Sequence, residues 1–310
     1  MKVVIAGGSG YLGEKLAGSW SARGAELIVL TRGRAEARPG DPPGLHRVAW
    51  DGRTVKDWVS SLEGADIVVN LAGERVAGSS LRYRWSGERK RLLASSRVDA
   101  GRALVAGISA ITRRPSVFVQ ASGIDYYASG EALATEEAIH GESFLSRLVS
   151  HDWEPSTAAV EALGLRRLIL RIAPVIGSGS PVLAPLVLQH RLYIGGPVGG
   201  GGQWFPWISI EDLVGSLHFL VDHDNSSGSY NLVSPGSVRN AELSSTLGKV
   251  LGRPSWLPIP ALVLRLALGE MADTLLEGVR ANPKRLLEEG YRFIHSELRT
   301  ALEAALRSVA

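Results

Sequence analysis

The run Gly7-Gly8-Ser9-Gly10-Tyr11-Leu12-Gly13 has the composition needed to hold a phosphate. One glycine makes a tight turn, Gly10 carries no side chain to keep a pyrophosphate from the backbone, and Gly13 lets a helix lie close to a strand. The run follows a β-branched segment at 2–6 and opens a helical pattern at 11, so phosphates would rest on a helix N-terminus. Gly7, Gly10, Tyr11 and Leu12 are therefore candidate contacts to a dinucleotide, although a glycine pattern alone also makes purely structural turns.

A second group, Thr31-Arg32-Gly33-Arg34, ends the next apolar run. NAD sites usually place a carboxylate here for the ribose 2′-hydroxyl, whereas two guanidiniums and a hydroxyl suit the 2′-phosphate of NADP. Thr31, Arg32 and Arg34 thus point to NADP (NADPH). NAD stays open, because Arg32 and Arg34 also read as ordinary exposed loop residues.

These groups need a scaffold. Strand patterns at 2–6, 26–31, 46–50, 66–71, 116–121 and 167–172 alternate with helical patterns at 11–23, 54–62, 86–111 and 143–163. That alternation predicts an α/β fold with a Rossmann-type doubly wound parallel sheet. Beyond Gly177 the chain turns Gly/Pro-rich, then helical near 211–222, 240–251, 258–277 and 283–289. The division expected is a dinucleotide-binding domain over 1–176 and a smaller, mostly helical substrate lobe over 177–310, with segments near 205–235 free to return to the first. The stretch 195–207 reads as a loop over a ligand or as an ordinary surface loop.

Composition narrows the function. The chain has 310 residues, 45% hydrophobic and 21% charged, with a net charge of +3, which suits a folded protein with a sizeable core. The absence of cysteine excludes disulfides, thiolate metal sites and a Cys nucleophile. No His-x-x-x-His pair occurs, and no metal site is expected. The basic run at 81–91 is interrupted by Glu88 and reads as a solvated helix face in preference to a nucleic-acid patch. Without a signal peptide or a long apolar stretch, a cytoplasmic protein with neither membrane nor nucleic-acid partners is expected, its oligomeric state open.

From Asn70-Leu71-Ala72-Gly73 onward the sequence resembles the extended short-chain dehydrogenase/reductases. Residues 85–97, Trp153-Glu154, 202–213 and 268–273 resemble an atypical subgroup labelled only "epimerase family", which has its own C-terminal extension; the likeness covers nearly the whole chain. The resemblance implies NADP contacts at Leu71, Ala72 and Gly73, the adenine near Trp50 and Asp51, and the nicotinamide beside Ala121, Ser122, Pro174 and Val175. Ordinary members use a Tyr-x-x-x-Lys pair. Here only Tyr11 has a lysine four residues on, and it belongs to the glycine loop; no lysine lies between Lys90 and Lys249. The family position falls near Val149 and Trp153, neither of which moves a proton, and Pro155 should kink that helix or start a new turn.

Ser122, Tyr126 and Tyr127 remain as candidate catalytic proton donors, with Asp125, where the subgroup has a small residue, as a neighbour that could orient one. Adjacent tyrosines also commonly put one ring in the core and one outside. The expected activity is NADPH-dependent reduction of a small-molecule carbonyl by hydride transfer, the proton coming from one of these groups, from water or from a substrate hydroxyl. Some reductases that tailor aromatic polyketide antibiotics resemble this subgroup. A nucleotide-sugar epimerase or dehydratase, and a non-catalytic NADP-binding regulator, are the alternatives.

Overall fold

The computed structural model describes residues 1–33, 35–76 and 84–307; Arg34 and residues 81–83 of the basic run lie outside the described residues. Strands β1 (Lys2–Ala6), β2 (Glu26–Thr31), β3 (Leu45–Ala49), β4 (Ile67–Asn70), β5 (Val117–Gly123), β6 (Arg166–Ile172) and β7 (Gly228–Leu232) form one sheet in the order β3-β2-β1-β4-β5-β6-β7. All neighbours are parallel. The strand order reverses between β1 and β4, which opens a crevice at their carboxyl ends.

Strand β1 explains why its sequence is apolar throughout. Val3 and Ile5 enter one core with Leu16 and Trp20, while Val4 and Ala6 enter another with Trp58, Leu104 and Ile108. With both faces covered, neither set of alternate residues meets water. Helices α1 (Tyr11–Ala22) and α4 (Ile210–Asp222) cover the first face, and α2 (Gly87–Ala110) with the 3-10 stretch Asp57–Leu62 covers the second. Ser86 caps α2, its Oγ accepting from the Arg89 amide at 3.1 Å. Two of the basic residues that follow are engaged with acids, Arg89 with Glu74 at 3.6 Å and Lys90 with Glu270 at 2.5 Å.

Three expected helices differ. The pattern at 54–62 is only that single 3-10 stretch. The pattern at 143–163 breaks into Phe144–Arg147, a π turn Leu148–Trp153, a 3-10 turn Pro155–Thr157 and Ala159–Ala162. Pro155 has no N–H and its ring crowds the preceding turn, so the helix widens and the Glu154 amide bonds the carbonyl five residues back, on Val149, at 3.0 Å. The third, at 258–277, is α6 (Ala261–Leu268), halted by Gly269 at φ +61°, followed by short turns.

The segment near 205–235 contributes β7, which runs along the outer edge of β6. Helices α3 (Leu183–Arg191), α5 (Asn240–Leu251) and α7 (Leu298–Arg307) gather around Ile176, Trp207 and Leu247 as a smaller lobe. Among the described residues no helix is long and apolar enough to cross a membrane.

Candidate functional site

A cleft of about 1660 Å³ runs along the carboxyl ends of the strands, walled on its far side by the smaller lobe. That exceeds the roughly 300–1,000 Å³ of an ordinary small-molecule pocket and leaves room for a dinucleotide and a second molecule. Gly7, Gly10, Tyr11, Leu12, Thr31, Arg32, Trp50, Asp51, Leu71, Ala72, Gly73, Ala121, Ser122, Pro174 and Val175 all line it, so the structure brings these candidates together.

The three glycines have separable roles. Gly7 sits at φ +77°, and a Cβ there would lie 2.8 Å from the Leu71 carbonyl carbon; a Cβ on Gly13 would lie 2.4 Å from Gly8 Cα. At Gly10 the nearest protein atom to a Cβ is the Gly7 carbonyl oxygen at 3.6 Å, so the space its missing side chain leaves belongs to the cleft. Gly10 also caps α1, directing the first-turn amides toward that space. The Tyr11 hydroxyl, next to Gly177, is buried without a partner among the described residues, and burial, helped by Glu211, raises its pKa to about 12. An open glycine cradle, a helix N-terminus and an orphaned hydroxyl fit a pyrophosphate.

At the far end of β2 the Thr31 Oγ1 accepts from Ser9 Oγ at 3.1 Å and from the Gly33 amide at 3.2 Å, and its own proton has no acceptor among the described residues. Arg32 and Arg38 both face this part of the cleft. Behind them the buried guanidinium of Arg47 donates to Ser9 Oγ at 2.9 Å and is held by Asp41 at 2.5 Å, which keeps the Asp41 pKa down near 2. Arg38 and Arg47 escaped the sequence reading, Arg47 because it stands inside a strand. The segment Thr31-Arg32-Gly33-Arg34 holds no carboxylate, but the fold supplies one to Arg32: Glu74, from beyond β4, pairs with it at 2.8 Å. Asp51 spends its carboxylate on the Thr54 hydroxyl at 2.5 Å and on the amides of Thr54 and Arg53, both at 2.8 Å, and these bonds lower its pKa.

The inner end holds a buried charged network that the sequence did not reveal. Ser122 donates to Glu154 Oε1 at 2.6 Å. Glu154 takes a two-pronged contact from Arg171, Nε at 2.9 Å and Nη2 at 3.0 Å, and Arg171 Nη1 donates to the Tyr127 hydroxyl at 2.9 Å. Tyr127 in turn donates to Asn231 Oδ1 at 2.7 Å, and burial raises its pKa to about 12. Tyr127 is thus the tyrosine in the core with a satisfied hydroxyl, and Tyr126 is half-buried with its ring 3.4 Å from the Arg171 guanidinium carbon. Asp125 opens onto the cleft, and the protein around it raises its pKa against the pull of Arg97.

A Rossmann sheet with this glycine cradle at its switch point defines a dinucleotide-binding protein of the extended short-chain dehydrogenase/reductase type. Residues 3–233 match the NAD dependent epimerase/dehydratase family, and the chain belongs to it. Residues 259–305 match a domain of unknown function, DUF1731. The chain is 34% identical over 306 residues to the mouse (Mus musculus) epimerase family protein SDR39U1, covering 98% of this chain and 99% of that protein. It is 32% identical over 306 residues to YfhF of Bacillus subtilis (strain 168), covering 97% of each. The crystal structure of human SDR39U1 (isoform 2) with NADPH superposes with a TM-score of 0.87 at 32% identity, covering 99% of both chains.

Proposed function

We propose that the protein is an NADPH-dependent reductase of a small-molecule ketone, with aromatic polyketides as the candidate substrate class. Bound over the glycine cradle, the cofactor would supply the hydride. Gly10 and the α1 N-terminus would hold its pyrophosphate, Thr31, Arg32 and Arg34 its 2′-phosphate, and Ala121, Ser122, Pro174 and Val175 would border the reacting end. Residues 1–176 would thus serve the dinucleotide and 177–310 largely the substrate. A cytoplasmic protein free of membrane and nucleic-acid partners belongs to the same reading.

The observation that carries the substrate class is a charge asymmetry. Among the described residues, the basic ones lining the cleft, Arg32, Arg38, Arg53 and Arg75, all precede residue 76. Those lining it from Ala121 onward include no Lys, Arg or His, and Phe144, Trp204, Phe205 and Met271 form much of the wall. Lys90 and Arg265, which lie nearby, are already neutralised by the lining acids Glu270 and Asp273. A nucleotide sugar brings a diphosphate that needs cations; an uncharged ring-bearing ketone does not. Incubating the protein with NADPH and a panel of polycyclic aromatic ketones, and following loss of NADPH absorbance, tests the reading. Interconversion of nucleotide sugars would sink it, and NADPH binding without oxidation across the panel would favour the non-catalytic regulator.

Specificity for NADPH is open to a direct check. Arg32→Ala should weaken NADPH more than NADH by about 1.5–3 kcal/mol, the worth of a charge-assisted hydrogen bond. The smaller value is expected, because Arg32 must leave Glu74 to reach a phosphate. Equal losses for the two cofactors would remove the 2′-phosphate assignment.

No Tyr-x-x-x-Lys pair enters this mechanism. Ser122 has its proton committed to Glu154 and Tyr127 to Asn231, so neither is poised as a dedicated acid. Positioning and a hydroxyl of the substrate would then carry the reaction. Ser122→Ala, Tyr126→Phe and Tyr127→Phe should each slow it by less than the ~10²–10⁴-fold of a lost general acid, while methylating the substrate hydroxyl should slow it far more. A thousandfold loss in one variant, with folding and cofactor affinity intact, would identify that residue as the acid.

A further inference from the structure

Most donors at the inner end of the cleft are spent on the protein itself, but Trp153 is not. Its side chain is 9% exposed, packs with Ala121, Leu71 and Ile172 at the ends of β4, β5 and β6, and lines the cleft. Its indole Nε1–H is buried with no hydrogen-bond partner among the described residues. Such a donor costs roughly 1–3 kcal/mol unless something accepts from it. The Arg97 guanidinium lies 4.8 Å over the ring, tied at 3.0 Å to the carbonyls of Leu93 and of Glu74. A cation on the π face draws electron density from the indole and sharpens its N–H as a donor. An indole keeps its proton near neutral pH, so this group binds an oxygen and does no acid–base work.

We infer that the Trp153 N–H donates to a neutral oxygen on the nicotinamide side of the cofactor, a ribose hydroxyl or the carboxamide oxygen. Thr31, Arg32 and Trp50 sit at the β2–β3 edge, so a dinucleotide laid across the glycine cradle with its adenine there carries its other half toward β4, β5 and Trp153. The inference rests on the NADP reading above, and Trp153 acts in it as a binding residue.

The test is calorimetric titration of the wild type, Trp153→Phe and Trp153→His with NADPH and with 2′,5′-ADP, which has the adenine and 2′-phosphate but no nicotinamide. Trp153→Phe should weaken NADPH about 2- to 10-fold, the worth of one neutral hydrogen bond, and leave 2′,5′-ADP unchanged. Trp153→His restores a ring N–H and should recover part of the loss. Thio-NADPH, whose sulfur is a weak acceptor, separates the two oxygens. A carboxamide partner predicts weaker wild-type binding of the thio analogue and no further loss in Trp153→Phe; a ribose partner predicts the full loss again. Unchanged NADPH affinity in Trp153→Phe overturns the inference. Parallel weakening of NADPH and 2′,5′-ADP also overturns it, by marking a packing defect. Should the wild type bind neither ligand, the cofactor reading fails and the inference falls with it.

Discussion

Glu154→Ala is expected to cost about 3–5 kcal/mol of stability, the range for removing one partner of a buried ion pair. Arg171 is 4% exposed and Glu154 7%, so the guanidinium stranded by the change cannot turn to water. Ser122 would lose its acceptor as well. In a chain of this size the loss should appear as a fall of roughly 5–10 °C in the thermal midpoint. Replacing both charges, Glu154→Leu with Arg171→Met, should regain most of it, because an apolar pair of similar volume avoids the desolvation of two ions. Recovery should stop short of complete, since Tyr127 then keeps Asn231 but loses its donor. A single-variant cost below about 1 kcal/mol, the value of an exposed pair, would mean that the network is open to solvent.

The second large effect separates two glycines of one loop. Gly10→Val should abolish NADPH binding while the protein stays folded, because its Cβ meets no protein atom closer than 3.6 Å and the branches project into the space where the pyrophosphate approaches. Gly13→Ala should do the reverse first. Its Cβ would stand 2.4 Å from Gly8 Cα, so α1 must shift away from the backbone of the glycine loop and stability must fall before any ligand is added. Fluorescence titration with NADPH alongside thermal unfolding distinguishes the two. Retained affinity in Gly10→Val would mean that the cradle does not hold the cofactor.

Features written in neighbouring residues were legible in the sequence. The glycine loop, β1 and β2 each carry their signal within a dozen positions, and Pro155 announces the break in its helix because the cause lies in its own ring. Strand β7 was harder, since Gly228-Ser229-Tyr230-Asn231-Leu232 has no β-branched residue and becomes a strand by pairing with β6. The inner network was hidden for a related reason. Arg171 in an apolar strand and Glu154 in a helical pattern look like surface charges until the fold sets them 2.9 Å apart. Glu74 escaped as the partner of Arg32 in the same way: its acidity was visible, but its position across the crevice is set by the order of β2, β1 and β4.

The same network implies an order of assembly. Glu154 and Arg171 are 17 residues apart, Ser122 and Glu154 are 32, Tyr127 and Arg171 are 44, and Tyr127 and Asn231 are 104. Loop-closure entropy grows with these separations, so the ion pair and the Arg171 bond to Tyr127 can close early while the Tyr127 proton waits for its acceptor on the last strand. Until β7 arrives the inner wall of the cleft has its charges matched and its tyrosine bonded to Arg171 alone, with no acceptor for the phenolic proton, which makes the edge strand the latch that completes the site.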